Sequence, residues 1–65
     1  MVKYFVFESV VLTSYRRGLV EFQEALGQLE GYLKCMVDIG VIEQDWAEEE
    51  LSAVTKRLFD ISERR

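Results

Sequence analysis

The sequence predicts an all-α protein, an antiparallel helical hairpin that dimerises into a four-helix bundle. Three observations carry that expectation. Leu12, Tyr15, Leu19, Phe22, Leu26, Leu29, Leu33 and Met36 succeed one another in alternating steps of three and four, which draws one apolar seam along a helix. Ala47, Leu51, Val54, Leu58 and Ile61 repeat the same spacing nearer the C-terminus. Between the two runs Gly40 stands where a helix can end in the left-handed conformation.

The first helix is expected over about residues 3–38. In its opening stretch Phe5 is in phase with the seam, Tyr4 and Val11 lie on its flank, and Glu8 falls on the stripe. Neither Ser9 nor Ser14 is followed three residues later by Glu or Gln, so no capping box marks a fresh start there. Residues 2–8 also admit a second reading, an intersubunit strand, because Val2, Tyr4 and Val6 alternate with Lys3, Phe5 and Phe7. Both faces of such a strand would be apolar, and its sole partner would be a copy of itself. Gly18, Gly27 and Gly31 each weaken a helix by about 1 kcal/mol relative to Ala; a helix with so strong a seam can simply tolerate them, and close packing of another helix is the compensation that would give them a reason.

Asp38-Ile39-Gly40-Val41-Ile42 closes this helix, with Val41 placed for the apolar contact of a Schellman motif back to Met36. Asp45, followed by Glu48, is the expected N-cap and capping box of a second helix over about 46–62. Helices of about 35 and 17 residues rise about 52 and 26 Å. The N-terminal half of the first helix therefore overhangs the second, and its apolar side chains lack cover within the chain. Phe5, Phe7, Val11, Leu12, Tyr15, Leu19 and Phe22 are accordingly the candidate self-association residues of a homodimer.

Composition supports the need for such help. A chain of 65 residues forms one domain, 1–65, and at about 60 residues a fold buries only about 60% of its unfolded surface. With 49% hydrophobic residues, 31% charged residues and no Pro, it should be ordered nearly end to end. One Cys cannot form an internal disulfide, there is no His, and no Asp/Asn/Gly loop has calcium-binding spacing. No cofactor or metal is expected, which leaves oligomerisation as the support. The apolar N-terminal run is interrupted at Glu8 before a signal-peptide core or membrane span is complete, so a cytoplasmic location and a free Cys35 thiol are expected.

Catalysis has little to stand on in a chain without His, where Cys35 has only Lys34 beside it. A net charge of −4 opposes binding to nucleic-acid phosphates or anionic lipid, and Arg16-Arg17 alone make a poor nucleic-acid footprint. The expected role is a small non-catalytic protein-binding module, a regulator, inhibitor or assembly factor acting on an unidentified protein. The alternative is a nucleic-acid-associated protein, working through Arg16 and Arg17 after dimerisation or as an acidic mimic of phosphates. Glu43, Asp45, Glu48, Glu49 and Glu50 form the densest charge cluster, and carboxylates there also complement a helix N-terminus. At the other end Lys56, Arg57, Arg64 and Arg65 complement the C-terminal dipole. Trp46 and Phe59 fall off the second seam. Trp46, beside the turn, is placed to close the end of the core with Ile42 and Met36, while Phe59, nearly opposite, has no evident intrachain role, and exposed aromatics of this kind anchor interfaces. Phe59, Trp46, Glu48 and Glu49 are thus the candidate protein-binding residues.

Overall fold

The computed structural model describes residues 2–64, and Arg65 lies outside them. Three helices follow in order: α1 (Val2–Arg16), α2 (Phe22–Asp38) and α3 (Gln44–Arg64). No strand forms among the described residues, and residues 2–8 are helical, so the intersubunit strand is set aside. Tyr4 of α1 packs on Tyr32 near the end of α2 and on Trp46 near the start of α3, while Tyr15 meets Phe22 and Ser62 at the opposite end. The chain therefore runs up, down and up, with α1 parallel to α3 and α2 antiparallel to both. Helices of 15, 17 and 21 residues rise about 22, 26 and 32 Å, which fits a bundle measuring 36 × 18 × 17 Å. No helix among the described residues is long and apolar enough to cross a membrane.

The single long helix over 3–38 is corrected here, because residues 17–21 form a turn. Gly18 adopts φ +78°, and the Leu19 N–H donates to Ser14 C=O (2.9 Å) while the Gly18 N–H donates to Tyr15 C=O (3.0 Å). This is a complete Schellman motif, which satisfies carbonyls that the end of α1 would otherwise orphan. Glu21 is then the N-cap of α2, with the Glu24 carboxylate reaching back to the Glu21 N–H at 3.5 Å. The seam looked continuous because Leu19 keeps the three-and-four spacing through the turn, yet Leu19 is 71% exposed.

The turn at Gly40 has the expected form: φ is +77°, the Val41 N–H donates to Met36 C=O (2.9 Å), and the Gly40 N–H donates to Val37 C=O (3.0 Å). The start of α3 is corrected. Helix begins at Gln44, Glu43 C=O accepts the first bond from Ala47 N–H, and Asp45 sits inside the first turn. Glu48 accepts from the Gln44 side chain (3.2 Å) and does not complete a box with Asp45.

Folding α1 back against α2 and α3 removes the overhang. Tyr4, Val11 and Tyr15 of α1, Ala25, Leu29 and Leu33 of α2, and Ala47, Val54 and Leu58 of α3 form the core, with Phe7, Leu12 and Phe22 packed at its margin. The inner face of α2 is thus turned slightly from the expected seam, so Ala25 is buried and Leu26 half-buried. Close packing does not explain Gly27 and Gly31 either, since a Cβ at each would meet nothing within 4 Å.

Candidate functional site

The inner face of α1 carries a carboxylate where an apolar residue would be expected, and the reason lies on α3. Glu8 follows Tyr4 by one helical turn, while Glu50 and Arg57 lie two turns apart on one side of α3. The parallel packing of the two helices brings the four together. Arg57 Nη1 lies 2.8 Å from Glu8 Oε2 and 3.4 Å from Glu50 Oε1. The Tyr4 hydroxyl lies 3.2 Å and 3.3 Å from the same two oxygens. The Glu8 and Glu50 side chains are 11% and 13% exposed, against 47% for Arg57, so the cation closes the cluster on its solvent side.

Burial sets the electrostatics of this group. The Glu8 carboxyl is pushed above its ordinary value by desolvation first, then by a hydrogen bond that its protonated form donates to Glu50, and Arg57 and Tyr4 offset part of that rise. Desolvation, reinforced by the two carboxylates, drives the Tyr4 hydroxyl far above its ordinary value, so it stays protonated and donates. Sequence reasoning missed this constellation. Its signals were a Glu on the α1 stripe and a Glu and an Arg two turns apart on α3.

The outward surface is divided as sharply. Along α1, Phe5, Val6 and Val10 are 47%, 59% and 58% exposed, and the exposed side has no charged residue between Lys3 and Arg16 because Glu8 points inward. The outward residues of α2 include Gln23, Glu24, Gln28, Glu30 and Lys34, an ordinary solvated face. On α3 a shallow groove of about 470 Å³ is lined by Glu48, Leu51, Ser52, Thr55, Lys56 and Phe59. At the α2–α3 turn a second hollow, of about 550 Å³, is formed by Gly40, Val41, Ile42, Glu43 and Trp46.

These placements divide the candidate residues. Phe59 and Glu48 line one groove, Trp46 belongs to the separate hollow, and Glu49 is exposed and lines neither. Phe59 also has an intrachain role, resting on Phe22 with ring centroids 4.9 Å apart while remaining 57% exposed. Trp46 packs edge-on against Tyr4 at 6.2 Å and helps to close that end of the core. Among the candidate self-association residues, Val11 and Tyr15 are buried in their own chain, Phe7, Leu12 and Phe22 are half-buried, and Phe5 and Leu19 are exposed. Cys35 is an exposed thiol. Compared with protein-family models, curated proteins and solved structures, the chain has no match.

Proposed function

We propose that this chain is a small non-catalytic protein-binding module that acts as a homodimer, with the outer face of α1 as the surface where two copies meet. The observation that carries the reading is the exposed strip of Phe5, Val6 and Val10, uncharged between Lys3 and Arg16. A helix that is apolar around most of its circumference belongs in an interior, and one chain covers only one side of α1. The strip is complementary to itself. In an antiparallel pairing about a two-fold axis near residue 8, Val6 of one copy meets Val10 of the other, Lys3 meets the uncharged Thr13, and Arg16 falls beyond the end of the facing helix. Such a dimer contains six helices, and it uses Phe5 and Val6 in place of the buried Val11 and Tyr15.

One helix face covers less than the roughly 800 Å² per partner of a standard interface, so association in the micromolar range is expected. The α3 groove with Phe59 and Glu48 stays open in this arrangement and is the surface offered to a target protein, the aromatic holding and the carboxylates steering. Sedimentation equilibrium tests the dimer: the protein should pass from monomer to dimer across the micromolar range, and Val6→Glu should abolish that passage while the helical circular dichroism is retained. A chain that stays monomeric at several hundred micromolar overturns the reading. Binding to random duplex DNA with a salt slope of several phosphates would replace it with the nucleic-acid alternative.

A further inference from the structure

The cluster between α1 and α3 makes more contacts than ordinary ionisation states have hydrogens to fill. Glu8 Oε2 lies 3.2 Å from the Tyr4 hydroxyl and 2.8 Å from Arg57 Nη1, and Glu50 Oε1 lies 3.3 Å and 3.4 Å from the same two atoms. A phenol carries one hydrogen, each terminal guanidinium nitrogen carries two, and an ionised carboxylate carries none. Four contacts thus draw on three hydrogens. Nη1 can serve both carboxylates, but a single O–H can point well at only one of them.

The charge count leads to the same place. Two carboxylates, 11% and 13% exposed, face one guanidinium, which leaves one negative charge uncompensated where water barely reaches. Neutralising such a charge with a proton costs less than burying it. The groups around Glu8 are Tyr4 on its own helix and Glu50 and Arg57 on α3, and from α2 the Tyr32 ring packs against Tyr4. Among the described residues no cation other than Arg57 lies within ion-pair distance of the two carboxylates.

We propose that Glu8 and Glu50 share one bound proton in the folded chain and that its release loosens α1 from α3, so that the docking of α1 is pH-sensitive. With the proton in place, the neutral carboxyl supplies the missing hydrogen, to the other carboxylate or to the Tyr4 oxygen, and Arg57 balances the one charge that remains. Without it, two carboxylates confront each other across the α1–α3 contact. The rise of the Glu8 carboxyl through desolvation accords with this. Its sign fixes the direction: a carboxyl raised in the folded state adds stability that is complete below the unfolded value, about 4.3 for Glu, and is lost as pH climbs through the folded value. The inference concerns contacts within one chain and does not depend on the outer face of α1 binding anything.

Two measurements on the full chain test it. In a carbon-13 titration of the side-chain carboxyls, the Glu8 resonance should respond to a protonation above the ordinary glutamate value of about 4.3. In urea unfolding from pH 5 to pH 8, the unfolding constant should rise with pH, by at most about tenfold per pH unit for one proton. Glu8→Gln and Glu50→Gln each replace a shared carboxyl with a neutral amide that can donate, and each should flatten that rise while helicity is retained. Should one variant fail to fold, the other variant and the wild-type titration still decide. A Glu8 carboxyl that titrates at the ordinary glutamate value, or a wild-type slope surviving in the folded variants, overturns the proposal.

Discussion

The two interhelical turns share one plan and differ in what surrounds it. Arg17-Gly18-Leu19-Val20-Glu21 and Ile39-Gly40-Val41-Ile42-Glu43 each place a glycine at positive φ, two apolar residues after it, and a glutamate where the next helix begins. Both close with the same pair of Schellman hydrogen bonds. At the second turn the residue after glycine is Val41, paired through the backbone with the apolar Met36. At the first it is Leu19, paired through the backbone with the polar Ser14. The turn forms all the same, so the glycine and the orphaned carbonyls make the motif, while its apolar contact is an accessory.

The largest effect expected from testing this comparison sets its scale. Leu29 is fully buried on α2, the helix that both turns bracket, and Leu29→Ala should destabilise the chain by about 2–5 kcal/mol in urea unfolding. A loss under about 1 kcal/mol would show that the inner face of α2 is not core. The turns themselves come next. Gly18→Ala and Gly40→Ala each force a side chain to φ +78° and +77°, at a cost of about 1–2 kcal/mol, and the two losses should agree. A stabilised Gly18→Ala variant would mean that helix can run through residues 17–21, restoring the long helix and its overhang.

Only one of these turns was legible in the sequence, and the reason lies in phase. At Gly40 the first seam ends with Met36 and the next begins with Ala47, so pattern and glycine agree. At Gly18 the apolar residues Tyr15, Leu19 and Phe22 keep helical spacing across the break, and periodicity outvoted the glycine. The start signal was also unlike the one sought, since Glu21 and not Ser or Asp occupies the N-cap. The buried cluster was hidden for a related reason. Glu8 on an apolar stripe read as a blemish, and only the parallel packing of α1 on α3 reveals Glu50 and Arg57 as its partners. The second seam survived in part, with Ala47, Val54 and Leu58 in the core.

A smaller effect of opposite sign separates turn glycines from helix glycines. Gly27 and Gly31 lie within α2, and a Cβ at either would meet nothing within 4 Å. Gly27→Ala and Gly31→Ala should therefore each stabilise the chain by about 0.5–1 kcal/mol, where the same change at Gly18 destabilises it. A loss at Gly27 that grows with protein concentration would instead show a second copy seated on α2.

The smallest expected effect carries the finest distinction between the turns. Leu19 is 71% exposed and Val41 is 56% exposed, so Leu19→Ser should lie within about 0.5 kcal/mol of wild type, as substitutions at exposed positions do. A Leu19 buried on a continuous helix would instead lose the couple of kcal/mol or more that truncating a core leucine costs, roughly 2–5. The measurement thus separates the three-helix bundle from the hairpin. Val41→Ser should cost slightly more than Leu19→Ser, because only Val41 has an apolar residue at the far end of its Schellman bond. Equal, near-zero losses at both sites would show that the glycines alone hold the two turns, and the accessory contact at Met36 would then contribute nothing measurable.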